Sequence, residues 1–426
     1  MRLLLLIPIN LPDAITLLIG GAAAFALAFV LTFFVKALCY KLGWLDRPAA
    51  RRVHTNAVPR LGGVAMFLAF AIVSLVLYSP GSTSEAVIYW LLVAAALLTV
   101  VVHAYDDVMG LKPWHKLLAQ TLAVIIILGP WASRFQGVLL FTFNNPFGVA
   151  TMHAGLPWYQ QPTLFLFVHD QAIQLLAIPA ILLTWFWVVG MMNTVNLIDG
   201  LDGLAAGVVA ITALFITLIS FILGQQSIAV LAAIFTGAVL GFLPHNWNPA
   251  KIFMGDSGSM FLGLVLAVLS IMGGAKLALM LMVIGVPVLD VAVVIISRIR
   301  RGQSPLHYDK SHLHYRLMAT GLSVKQICYL FYGLALAFGV LALSFSGIYF
   351  AHLYKLVGII LVGLTMIGLI IWIDRRQHKR GVKMKLDDPE PAPNGSIERA
   401  SEDSTTGSAR KEPSEYEAQA SPPRSH

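Results

Sequence analysis

Residues 203–244 read GLAAGVVAITALFITLISFILGQQSIAVLAAIFTGAVLGFLP, a stretch without one Asp, Glu, Lys or Arg. A membrane-spanning helix needs about 20 mostly apolar residues. One helix across the whole stretch would be implausibly long, and Gly224-Gln225-Gln226 supplies a tight turn. The stretch therefore reads as two spans, 203–223 and 227–244. Working outward by the same length rule gives about eleven spans in all: 11–38, 61–79, 86–104, 114–132, 173–193, these two, then 257–273, 277–296, 326–346 and 354–373. The expected fold is an all-α polytopic membrane protein.

Composition agrees. The chain has 426 residues, 58% hydrophobic and 12% charged, against about 25% charged in soluble domains. The first apolar run, from Leu11 past Phe34, is too long for a signal-peptide core of about 7–15 residues. Lys and Arg fall on alternate loops: Lys41, Arg47, Arg51, Arg52, Arg60, Lys112, Lys116, Lys251, Arg298, Arg300, Arg301, Lys310, Arg316 and Lys325 lie on one side, with the C-terminal tail. The positive-inside rule makes that side cytoplasmic and puts the N-terminus outside. No basic face on a soluble domain suggests nucleic acid as a partner. Cys39 and Cys328 suggest neither a disulfide framework nor a zinc site.

Two regions read as non-membrane. In the outer loop 133–172, Gly137–Phe143 and Val149–Met152 flank Asn144–Gly148 as a β-hairpin. The division expected is a membrane catalytic domain, 1–375, and a tail, 376–426, whose polar, Ser-, Pro- and Glu-rich composition predicts disorder.

Four polar clusters fall on the cytoplasmic side of this topology: His103 to Asp107, Asn193 to Gly203, Asn246 to Ser259, and Arg298 to Arg316. Polar groups at membrane depth are costly and usually functional. Asp106 and Asp107, about 100° apart on a helix, should face different partners. A solvated helix-end pair met by Lys112 or Lys116 fits as well. Asn193, Asn196, Asp199 and Asp202 recur every third residue, and Gly200 and Gly203 let the chain bend so that several aim inward. Gly255-Asp256-Ser257-Gly258-Ser259 opens a helix, where phosphate, a hard cation at Asp256, or simple N-capping all fit. His312-Leu313-His314 lies in a basic loop suited to a pyrophosphate, or to an ordinary positive-inside loop. Asp290, about 12 Å inside a span at 1.5 Å per residue, reads as a structural buried acid with an unknown basic partner.

Taken together, His54 with Pro59-Arg60-Leu61-Gly62-Gly63, Asp106-Asp107, Asn193 to Asp202 with Gly203-Leu204-Ala205, Gly255 to Ser259, Arg301-Gly302-Gln303-Ser304-Pro305 and His312-Leu313-His314 resemble the polyprenyl-phosphate N-acetylhexosamine-1-phosphate transferase superfamily. The closer match is its bacterial undecaprenyl-phosphate GlcNAc-1-phosphate transferase branch, over about residues 15–375. The resemblance implies a cytoplasmic-membrane enzyme that moves a HexNAc-1-phosphate, chiefly GlcNAc-1-phosphate, from the UDP-sugar to undecaprenyl phosphate. UMP is released, and the product starts cell-envelope polysaccharide such as lipopolysaccharide or teichoic acid. Asp256 would ligate Mg²⁺, with Mn²⁺ as the alternative. Asp106 would act as base with Asp107 beside it. Asn196 and Asp199 would line the nucleotide and phosphate region with Asn193, Asp202 would contact uracil, and Phe253 would stack on it. His312, His314, Arg301 and Arg316 would meet the pyrophosphate. The superfamily also suggests a homodimer.

Two departures stand out. Tyr315 replaces the last His of the branch's His-x-His-His, with Arg316 as a substitute charge. Thr55 stands where phospho-MurNAc-pentapeptide transferases carry Lys, which argues against that alternative. A rival of another class, an ion- or proton-coupled transporter, would place its acids near the midplane, and here only Asp290 sits deep.

Overall fold

A computed structural model describes residues 11–46, 57–129, 137–140, 142–144, 163–165, 178–272, 277–302, 311–345 and 351–379. The described residues form thirteen helices and four short strands. The helices are α1 (Leu11–Leu42), α2 (Gly62–Leu77), α3 (Thr83–Met109), α4 (Pro113–Leu128), α5 (Ile178–Ile198), α6 (Leu204–Ile222), α7 (Gln226–Asn246), α8 (Gly255–Met272), α9 (Leu277–Val283), α10 (Gly285–Arg300), α11 (Leu313–Ala319), α12 (Val324–Ser344) and α13 (Ala351–Lys379). The strands are β1 (Leu45–Asp46), β2 (Val58–Pro59), β3 (Thr142–Asn144) and β4 (Thr163–Phe165). Each of the eleven apolar stretches read from the sequence coincides with a helix or a bent helix pair. Eight helices are long and apolar enough to cross a membrane, and the protein is an all-α polytopic membrane protein. Helices α2 and α4 are shorter apolar helices of 16 residues each.

The stretch expected to be one straight span over 277–296 is instead α9 and α10, bent by 84°. Pro287 lies in the first turn of α10, where its missing N–H costs nothing, whereas in the interior of one helix running on from α9 it would remove a hydrogen bond and clash with the preceding turn. Asp290 lies on α10, past the bend.

Helix α8 is the centre of the bundle: 83% of its apolar window is buried, against 17% for α1 and 22% for α13. The outer helices expose Leu18, Val30, Phe33 and Phe34 on α1, and Ile360, Leu364 and Ile367 on α13. A belt of that size would drive aggregation in water and suits contact with lipid. Inside, Phe67, Phe70, Phe235 and Phe261 interlock edge-on, tying α2 and α7 to α8.

Strand β3 pairs antiparallel with β4, Thr142 opposite Phe165. The segment Val149–Met152, assigned from sequence as the return arm, lies outside the described residues, as do His54, Thr55, Gln303 to Lys310 and the tail beyond Lys379. Helix α13 runs to Lys379.

Helix α1 meets α7 backbone to backbone. A Cβ on Gly237 would lie 2.0 Å from the Gly21 carbonyl oxygen, whereas one on Gly190 would meet nothing within 4 Å. Gly237→Ala should therefore part the two helices and cost about 1–3 kcal/mol, while Gly190→Ala should be neutral or slightly stabilising. Thermal unfolding of the two variants in detergent checks this, and equal midpoints would disprove it.

Candidate active site

The site is assembled at the ends of four helices, α3, α4, α5 and α8. Helix α3 ends at Gly110, and its last turn carries Asp106 and Asp107. Their side chains diverge, as adjacent positions on a helix must. Asp106 is buried and accepts from the Leu111 N–H at 2.6 Å; its other oxygen lies 2.6 Å from Lys116 Nζ on α4. Asp107 points to the amino end of α8, where it accepts from the N–H groups of Asp256 (2.8 Å) and Ser257 (3.1 Å) and from Ser257 Oγ (2.8 Å). A carboxylate on unpaired helix-terminal amides is favoured by hydrogen bonding and by the helix dipole.

That arrangement requires Gly255. Its φ is +72°, and a Cβ there would lie 2.3 Å from Asp107 Oδ2 and 2.1 Å from the Arg60 carbonyl oxygen. The motif 59–63 joins the same corner: Phe253 N–H donates to Pro59, while Gly62 and Gly63 donate back to Phe253 and Met254. Phe253 is only partly buried there.

Asp256 faces the centre. One oxygen is 2.6 Å from Lys116 Nζ, and the other accepts from Asn196 Nδ2 at 3.0 Å. Asn196 also donates to Ser259 Oγ at 2.9 Å. Lys116 thus bridges Asp106 and Asp256, and α5 is latched to α8 through Asn196. Asp199, one turn beyond Asn196, is held well above the usual carboxylate range, first by burial and then by the charges of Asp256 and Asp107, with Arg60 opposing. The structure brings together Asp106, Asp107, Asn196, Asp199 and Asp256.

Other expected residues are engaged differently. Asn193 pairs with Gln120 of α4, donating at 2.9 Å. Asp202 accepts from Asn248 Nδ2 and the Ala250 N–H, bracing the loop before α8. Arg301 is exposed and bonds Ser297 within its own helix. Arg316, expected at the pyrophosphate, instead donates to Asp374 of α13 at 2.8 Å, because its place on α11 turns it toward the last helix. His312 and His314 are buried, their rings nearly parallel with centroids 5.9 Å apart. Burial and the neighbouring His312 push His314 down to about 3, so at neutral pH it is an uncharged imidazole. Tyr315 packs on His314, and both flank Gly200 beside Asp199: a Cβ on Gly200 would lie 2.6 Å from His314 Nε2 and 2.7 Å from the Tyr315 hydroxyl.

Lys116 is the central residue that the sequence reading treated only as an option for the acid pair. A single Lys in a positive-inside loop carries no signal that separates it from Lys112. Ser259 stood out only as the last residue of the 255–259 motif, and Gln120 gave no signal.

Among the described residues no three His, Cys, Asp or Glu side chains stand at metal-holding spacing. The donors present still suit Mg²⁺, which takes oxygen ligands, keeps several waters and needs one or two carboxylates beside substrate phosphates. A cation already occupies the gap between two acids, in the form of the Lys116 ammonium.

The glycosyl transferase family 4 model matches residues 88–274, which include Asp106, Asp107, Asn196, Asp199 and Asp256. The chain is 34% identical over 320 residues to a probable undecaprenyl-phosphate N-acetylglucosaminyl 1-phosphate transferase of Bacillus subtilis, covering 74% of this chain and 80% of that protein. It is 33% identical over 358 residues to a decaprenyl-phosphate N-acetylglucosaminephosphotransferase of Mycolicibacterium smegmatis, covering 76% and 81%. A phospho-N-acetylmuramoyl-pentapeptide-transferase of Staphylococcus aureus is more distant, at 28% over 333 residues, covering 74% and 96%. Both the motifs and this breadth of identity lead to one conclusion: the chain belongs to glycosyl transferase family 4, the superfamily of polyprenyl-phosphate N-acetylhexosamine-1-phosphate transferases.

Proposed function

We propose that the protein transfers GlcNAc-1-phosphate from UDP-GlcNAc to undecaprenyl phosphate, releasing UMP and giving a lipid-linked sugar that starts a cell-envelope polysaccharide. The observation that carries this reading is the Asp106–Lys116–Asp256 bridge with Asn196 on its far side. It is an acid-rich, oxygen-lined cluster around one ammonium, suited to phosphate chemistry. The relatives' names support the donor and the lipid: those named for GlcNAc transfer are 33–34% identical, whereas the pentapeptide transferase is 28%. The Arg and Lys bias supports a cytoplasmic active face, an outer N-terminus and a bacterial inner-membrane location. A homodimer is the assembly the superfamily suggests.

Asp256, with Asn196 beside it, would hold Mg²⁺, which when bound neutralises charge on the diphosphate. Asp106 would take the proton of the lipid phosphate, whose oxygen attacks the β-phosphorus of the UDP-sugar as the bond to UMP breaks. Lys116, released from its two acids, would follow the charge onto the leaving phosphate. Asp107 serves by fixing the α8 amino end that aims Asp256. Asp199, held well above the usual carboxylate range by burial and then by the charges of Asp256 and Asp107, would line the phosphate region. His314 would contribute hydrogen bonds rather than charge. The gathering of Asp106, Asp107, Asp199 and Asp256 in one helix-end cluster gives a proton-coupled transporter no support.

Protein in detergent with Mg²⁺, undecaprenyl phosphate and a panel of UDP-sugars should release UMP and form a GlcNAc-lipid, both lost on adding EDTA. Folded protein giving no product with any UDP-HexNAc would refute the reading. Asp106→Asn and Asp256→Asn should each lower kcat by about 10²–10⁴-fold, and near-normal turnover in Asp106→Asn would remove it as the base. His314 binds fewer protons folded than unfolded between its ordinary value of 6.5 and about 3. It should therefore make the fold less stable as pH falls through that window. Thermal midpoints should show His314→Gln losing less stability than the wild type on acidification from pH 7 to 5; parallel curves would contradict this.

A further inference from the structure

Asp290 lies outside the catalytic cluster and is not accounted for by the reaction just described. It sits on α10 with 4% of its surface exposed. A carboxylate that deep must be matched by donors or it becomes very costly, and two donors meet it. Both come from the amino end of α11: the Leu313 N–H at 2.9 Å, and His312 Nδ1 at 3.0 Å. His312 is itself 4% exposed and is the residue preceding the helix.

A carboxylate can only accept, so the proton of this bond lies on Nδ1 of His312. That leaves Nε2, on the opposite edge of the ring, as the nitrogen available to a substrate. The Leu313 contact fixes the backbone beside the same ring, so Asp290 sets both the tautomer and the orientation of His312. The His312 ring in turn lies parallel to that of His314, which flanks Gly200 beside Asp199. A continuous packed path therefore runs from Asp290 to the bend that carries Asp199.

We propose that Asp290 is a positioning residue for phosphosugar transfer, holding His312 so that its Nε2 edge is presented to the diphosphate of the sugar nucleotide. This rests on the transferase reading above. An Asn at 290 could keep an acceptor for Leu313 or turn its amide toward His312, which would then present the wrong tautomer.

The test is a double-mutant cycle on kcat for UMP release, using UDP-GlcNAc, undecaprenyl phosphate and Mg²⁺, with thermal midpoints measured on the same samples. Asp290→Asn is expected to lose about 10–100-fold, His312→Gln at least as much, and the double variant no more than His312→Gln alone. Wild-type kcat in Asp290→Asn, or losses that multiply in the double variant, would overturn the proposal. So would a lowered thermal midpoint with unchanged kcat, the mark of a merely structural acid. If Asp290→Asn yields no folded protein, Asp290→Glu replaces it in the cycle under the same criterion. An inactive wild type would show at the outset that the transferase reading had failed, and the proposal with it.

Discussion

The ammonium of Lys116 between Asp106 and Asp256 is the contact on which the rest of the site depends. With Nζ 2.6 Å from each, the two carboxylate oxygens are no more than about 5 Å apart. Unscreened by a cation, two such charges would repel by about 3 kcal/mol at an effective dielectric of 20. Asp107 adds to the same field. The cluster is stable only with positive charge in its midst, and a Lys provides it on a flexible stem that can yield when another cation arrives. This is a site that stores its own counter-ion.

Helix α8 is what makes the cluster a rigid one. It is the most buried helix, and its amino end is gripped by Asp107 from α3, by Asn196 from α5 and by the 59–63 turn before α2. Aromatic packing below fixes α8 against α2 and α7. The apolar core therefore determines the angle at which Asp256 is presented, and packing far from the polar end becomes part of the chemistry.

Much of this was legible in the sequence because membrane helices are written in length. Apolar runs placed the helices, and the third-residue spacing of Asn193, Asn196 and Asp199 with the Gly200 bend identified a polar end. Divergence of Asp106 and Asp107 followed from the 100° turn alone. What the sequence hid were tertiary choices among equals. Lys112 and Lys116 look alike in a loop, and only packing says which one reaches the acids. Arg316 has the charge for a pyrophosphate, but α13 supplies Asp374 on its side of α11. The 84° bend needed Pro287 to be read as a boundary, although a proline in an apolar run can also sit within a kinked helix, as Pro244 does within α7. Asp290 was marked as an acid in need of a partner, and the partner proved to be a histidine twenty-two positions away.

Asp107 and the amides it holds are about 150 positions apart in the chain. A membrane protein emerges and inserts in order, so α3 is made long before α8 exists to receive its carboxylate. During that interval the acid pair must stay hydrated, which a helix end at the aqueous boundary allows and a mid-helix position would not. Placing the pair on the final turn of α3 thus serves biosynthesis as well as chemistry: Asp106 meets Lys116 on the next helix, while Asp107 finds its amides only after five more helices have followed.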